Sequence, residues 1–224
     1  MQTKPGFYGS SSKVSKAEEK ITNKKSKKKK DSDDDFGMSS LEDHGVHFFN
    51  GEVDGGSTGD AIRFILEANL DTSCRWEYMT FIINSCGGYL NDGFALIDIM
   101  NGSRIPIRTL GIGLIASMGL MIFLAGQRGY RTLTPNTMIL SHQYSGATFG
   151  KEHELVASRE EQDQTTDIVM RHYRRTTGLK DADIKKHLLP PHDVWVTATK
   201  AKKLGICDLV KDVKPHQMKQ EKRK

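Results

Sequence analysis

An α/β protein with a largely parallel sheet is the fold this sequence predicts, and three observations predict it. Short β-rich apolar runs alternate with helix-patterned segments from residue 46 to residue 210. Several of the runs end in glycine-rich turns, as strand-to-helix connections do. A long polar segment, 151–176, then carries helical composition with Gly178 as its stop.

Taken in order, Val46–Val53 reads as a strand, which Gly55, Gly56 and Gly59 break. Asp60–Leu70 reads as an amphipathic helix, with Ile62, Ile65, Leu66 and Asn69 on one side. Met79–Asn84 is a buried strand ending in the turn Ser85-Cys86-Gly87-Gly88, and Asp92–Asn101 a helix. Ile105–Ile112 is a strand, and Ser117–Ala125 a helix rich in small residues at its start. Tyr130–Thr134 and Met138–Ser141 are strands around Pro135-Asn136. After the long polar helix come two short helices, Asp181–Leu188 and Thr197–Leu204, and a last strand, Ile206–Val210.

Three regions follow from composition. Residues 1–43 are rich in Lys, Ser, Asp and Gly and bury too little apolar surface to fold, so a disordered Lys/Asp-rich tail is expected there. The domain itself spans 44–212, and 213–224 form a basic C-terminal tail. The formal charge of +5 arises mainly in those tails, and the middle shows no nucleic-acid-binding motif, so nucleic acid is not the expected partner. No apolar run approaches the roughly 18–20 residues of a membrane span, and the N-terminus lacks the apolar core of a secretory signal. Three cysteines without a CxxC pair suit a reducing compartment, and a cytoplasmic protein is expected.

Four positions carry candidate chemistry. Ser117 follows an apolar strand and a glycine turn and opens a helix whose free N–H groups can face a developing oxyanion. Residues of that kind are more often simple helix caps, so the tetrapeptide Ala116-Ser117-Met118-Gly119 decides nothing alone. Gly87 and Gly88 permit close approach of a ligand backbone. His142 ends a strand, where imidazole can transfer protons near neutral pH. Asp193 lies in Pro190-Pro191-His192-Asp193-Val194-Trp195, read as a stiff turn before a helix.

Together these motifs, in this order and spacing, resemble the proteolytic subunit of the Clp protease over roughly residues 46–210. The shared landmarks are the Gly-Gly turn, the Ala-Ser-Met-Gly step, His142-Gln143, and Asp193-Val194-Trp195-Val196-Thr197-Ala198 through Asp208. The resemblance implies a ClpP/crotonase-like fold of repeated β-β-α units with a long handle helix. It implies a serine endopeptidase with Ser117 as nucleophile, His142 as general base and Asp193 as its orienting acid. Gly88 and Met118 would supply the oxyanion N–H groups, and Gly87 and Gly146 would bind substrate. Tyr144–Gly150 would be a glycine-rich strand that pairs with substrate. The assembly implied is a homo-oligomer of heptameric rings stacked into a tetradecamer, fed unfolded polypeptide by an AAA+ unfoldase, with no metal or cofactor on this chain. Two departures stand out, since the family usually has Pro where Cys86 and Tyr144 stand, and its pore loops are not recognisable here.

Rival readings are a viral head-maturation peptidase working without an unfoldase, an inactive ring-forming subunit, and a crotonase. Gly111-Ile112-Gly113-Leu114-Ile115-Ala116 matches a dinucleotide fingerprint, but the acid expected about 20 residues on is missing. His153-Glu154 begins a zinc-protease pattern that Ala157 breaks.

Overall fold

The computed structural model describes residues 40–215, and the expectations for the two tails fall mainly outside that range. Strands β1 (Val46–Val53), β2 (Met79–Gly88) and β3 (Ile107–Ala116) alternate with helices α1 (Gly55–Leu70), α2 (Leu90–Gly102) and α3 (Met118–Leu124). Then follow β4 (Arg131–Leu133), β5 (Met138–Ser141), α4 (Glu152–Thr177), α5 (Asp181–His187), β6 (Val194–Thr197), α6 (Ala198–Lys203) and β7 (Leu209–Val210). A seven-stranded sheet runs β1-β2-β3-β4-β7, with β5 joining β3 and β6 joining β5. Every pairing is parallel except β5 with β6. Among the described residues no helix is long and apolar enough to cross a membrane.

The sheet branches within β3. Thr109–Gly111 pair with β4, and Leu114–Ala116 pair with β5. Gly113 between them takes φ 58, a left-handed conformation that glycine adopts without steric cost. Asn84 fills the gap, accepting from the Leu114 N–H at 3.0 Å and donating to Asn50 at 2.8 Å. The dinucleotide-like glycines therefore lie in a strand, and no phosphate-cradling turn exists there.

Helix α3 is buried on all sides, as its uninterrupted apolar sequence requires. It packs under the sheet with Phe81, Ile83 and Ile115, all fully buried. In α4 only the second half is buried, through Val169, Met170, His172, Tyr173 and Thr177, so the first half projects as an exposed polar rod.

Several boundaries differ from expectation for local reasons. Asp54 caps α1 by accepting from the Ser57 N–H at 2.8 Å, and Ser57 answers by accepting from the Asp54 N–H at 3.1 Å, so Gly55, Gly56 and Gly59 are helical. The face α1 buries is Ala61, Phe64, Ile65 and Ala68; Leu66 faces solvent. Asp193 precedes a strand, not a helix, because Val194–Thr197 pair antiparallel with β5. Residues 144–150 form no strand within the chain.

Arg131 and Asp208 tie the branch to the chain's end. The guanidinium is 2% exposed and donates to both Asp208 carboxylate oxygens at 2.9 and 2.7 Å, to the Thr176 carbonyl at 2.8 Å and to the Gly205 carbonyl at 3.2 Å. Burial alone would push the Asp208 carboxyl up; the Arg131 guanidinium, with the Arg131 and Gly129 N–H groups, outweighs it and holds the carboxyl below its ordinary value. Asp208→Ala leaves the cation buried without its partner and is expected to cost about 3–5 kcal/mol. Urea unfolding measures this, and a loss under about 1 kcal/mol would place the stabilisation elsewhere.

Candidate active site

Parallel strands deliver their ends to one edge of the sheet. Gly88 ends β2, Ser117 follows β3 and His142 follows β5. Because β6 runs antiparallel to β5, its beginning lies at that same edge, and the register Ser141↔Val194 sets Asp193 beside His142. Crevices at the carboxyl ends of parallel strands are where α/β folds bind ligands.

Ser117 has φ 51 and ψ −122, the one positive φ at a non-glycine position among the described residues. Such conformations cost on the order of 1–3 kcal/mol and persist where surrounding structure imposes them. Here the Ser117 N–H donates to the Leu140 carbonyl at 2.9 Å, and the Ser117 carbonyl accepts from the Leu120 N–H at 3.0 Å. The Ser117 side chain makes no cap hydrogen bond to α3, so its Oγ is not engaged as a helix cap. Gly87 lies directly against this turn: a Cβ there would stand 2.6 Å from the Ser117 Cβ and 2.9 Å from the Ala116 carbonyl. Gly88, at φ 155, is pressed onto the Val53 backbone, and Gly93 leaves room for the Met118 side chain. Met118 is fully buried, and its N–H is among the first of α3, which have no partner within the helix.

His142 is pinned from both sides. Ser141 donates to the Leu188 carbonyl at 2.6 Å and meets the Tyr173 hydroxyl at 3.4 Å; Gln143 donates to the Leu189 carbonyl at 3.0 Å. The His142 Nδ1 lies 3.8 Å from Asp193 Oδ1, with the two side chains 32% and 61% exposed. That spacing is an ion-pair distance and is too long for a hydrogen bond. Among the described residues no hydrogen bond joins Ser117 to His142. Both line one cavity of about 1120 Å³, together with Gly88 and Gly146. Gly87 sits beneath Ser117 outside the lining, and Asp193 stands behind His142.

Cys86 occupies a bulge: Gly51 pairs with Ser85 and Glu52 with Gly87, so Cys86 has no partner in β1 and is exposed. Bulges are among the few places within a sheet where a proline is tolerated. Residues not singled out from sequence also line the cavity, among them Gln162, Thr166, Val169 and Met170 of α4. Tyr144 reaches α4, donating to the Gln162 carbonyl at 2.7 Å. His172 lies under α3 at 5% exposure, its Nε2–H donating to the Met121 carbonyl at 2.9 Å.

Burial holds the His172 imidazole down at about 4; the Met121 carbonyl opposes that shift and Arg175 adds to it. The unfolded chain binds this proton near pH 6.5, so stability from the neutral ring is complete above about pH 6.5 and is lost as pH falls toward 4. Between pH 7.5 and pH 5 the loss is about 2 kcal/mol. His172→Leu removes that component. The wild-type advantage in urea unfolding should therefore shrink by about 2 kcal/mol at pH 5 relative to pH 7.5; a constant gap would exclude this histidine as the titrating group.

A strained serine at a strand-to-helix turn, a histidine on the next strand end, and glycines fitted against the serine define a hydrolase-type site. The Clp protease family model matches residues 33–214. The chain is 33% identical over 165 residues to ATP-dependent Clp protease proteolytic subunit 1 of Protochlamydia amoebophila (strain UWE25), covering 73% of this chain and 78% of that protein. It is 34% identical over 128 residues to the ATP-dependent Clp protease proteolytic subunit of Ostreococcus tauri, covering 57% of this chain and 63% of that one. The chain belongs to the Clp protease family, and is a hydrolase, a serine-type endopeptidase.

Proposed function

We propose that this chain cuts unfolded polypeptides through an acyl-enzyme on Ser117. The observation that carries the reading is the convergence of Ser117, His142 and Gly88 on one cavity, with Asp193 on the far side of the imidazole. His142 directs Nδ1 toward Asp193, which leaves Nε2 to take the Ser117 proton. As Oγ bonds to the carbonyl carbon, the Gly88 and Met118 N–H groups receive the oxyanion. The C–N bond then breaks, the imidazolium returns its proton to the departing amine, and water, deprotonated by His142, releases the acyl group. None of these steps needs a metal or a nucleotide on this chain. Loose contacts without substrate are common in such sites and tighten in the complex.

The assembly proposed is two stacked rings of seven in the cytoplasm, formed by the domain 44–212 and fed by an AAA+ unfoldase. Membership in the family supports it, as does the exposed first half of α4, a rod suited to interlocking with a second ring. A fluorophosphonate probe tests the chemistry, with particle mass taken on the same sample. One adduct on Ser117, absent from Ser117→Ala, in a fourteen-subunit particle is the expected result. Labelling that survives in Ser117→Ala refutes the nucleophile, and an unlabelled ring of the same mass marks a structural subunit.

A further inference from the structure

Residues 144–148 line the cavity beside Ser117, yet among the described residues no backbone hydrogen bond involves any residue from 142 to 150. The stretch 145–150 is exposed throughout. A segment of that kind has nothing in its own backbone to define its path. Two side chains four residues apart supply the definition. The Tyr144 hydroxyl donates to the Gln162 carbonyl at 2.7 Å and lies 3.2 Å from the Thr166 hydroxyl. Farther along, the Thr148 and Ser158 hydroxyls meet at 2.7 Å. Both ties reach α4, a rigid element whose buried second half anchors it to the core. They leave the segment's backbone donors and acceptors without backbone partners, while residues 144–148 line the cavity in which Ser117 sits.

We propose that Tyr144 is a positioning residue: its hydroxyl, anchored on α4, holds segment 144–150 in the path along which an extended polypeptide is received. Thr148 is the second, weaker point of the same strap. A segment already in its binding conformation spares the ligand the cost of ordering it, and apparent affinity scales with the fraction of molecules so arranged. The chemical step is separate, because His142 is held by Ser141 and Gln143 through bonds Tyr144 does not share. That the ligand is a polypeptide rests on the peptidase reading above.

The test separates the two. In a Ser117→Ala background, binding of a fluorescein-labelled unstructured decapeptide of Leu, Met, Ala and Ser is followed by anisotropy. Adding Tyr144→Phe, which keeps the ring and removes only the hydroxyl, should raise Kd about fivefold, the size of one net hydrogen bond. Thr148→Val should raise it by less in the same direction. In the chain with Ser117 intact, Tyr144→Phe should raise KM for the same peptide, carrying a fluorophore and quencher, by the same factor. Its kcat and the rate of labelling by a small fluorophosphonate should change by less than about twofold, because neither acyl transfer nor the small reagent depends on the strap. Unchanged or tighter peptide binding in Tyr144→Phe overturns the proposal, as does a parent protein that binds no peptide. If the Tyr144 variant fails a urea-unfolding check, Thr148→Val alone decides the matter by the sign of its effect. Absence of Ser117-dependent labelling overturns the catalytic reading and leaves the Kd comparison to stand on its own.

Discussion

Ser117→Ala is expected to lower kcat for a fluorogenic peptide by on the order of 10⁶, with the fold retained. The size follows from what is removed. Without Oγ there is no acyl-enzyme, and the residue of catalysis comes from the oxyanion donors and from binding. The donors proposed above are backbone groups at Gly88 and Met118, which a change at the Ser117 side chain does not displace. Retention of the fold follows from the contacts at the turn: alanine keeps the Cβ that Gly87 accommodates and the backbone bonds to Leu140 and Leu120. Adding His142→Ala to the variant should cost little more, since nucleophile and base act as one unit. Initial rates on matched particles, with urea unfolding as the control, measure all of this. A fall of less than about 10³ would mean that another group attacks, and the exposed Cys86 thiol would be the next to remove.

Asp193→Ala should lower the same rate by on the order of 10⁴. In the proposed mechanism the carboxylate neither meets substrate nor forms a bond; it fixes which imidazole nitrogen carries the proton and stabilises the imidazolium. Asp193→Asn keeps the shape and loses the charge, so it should fall by a similar factor. Stability should change by less than about 0.5 kcal/mol in either variant, because the side chain is 61% exposed and sits outside the core. This combination, a large kinetic loss with an unchanged unfolding midpoint, separates an orienting group from a structural one. Near-normal turnover would show that His142 is held by Ser141 and Gln143 alone.

The run of strands and helices was legible from residues 46 to 141 because each element declares itself locally. Apolar β-rich runs, glycine turns and the buried α3 are patterns of near neighbours. The position of the candidate nucleophile was legible for the same reason, since a serine between a strand and a helix is a local fact. Less legible was anything created by partners distant in sequence. Val194–Thr197 shows four residues of β-rich character after two prolines, and only pairing with β5 makes it a strand. That pairing, with its direction, is what brings Asp193 to His142 across 51 positions of chain. The stretch 144–150, expected as a strand from the family resemblance, has no strand partner among the described residues.

By itself, then, the sequence determined the fold class, the order of the elements from residue 46 to residue 141, and the serine, histidine and aspartate that are candidates for the chemistry. Tertiary structure decided the φ of 51 at Ser117, the bulge at Cys86, the burial of His172 beneath α3, and the tie from Tyr144 to α4. The physical reason is the range of the interactions. Propensity and periodicity act over a few residues, whereas register, strain and desolvation are imposed by groups that only the folded chain brings together.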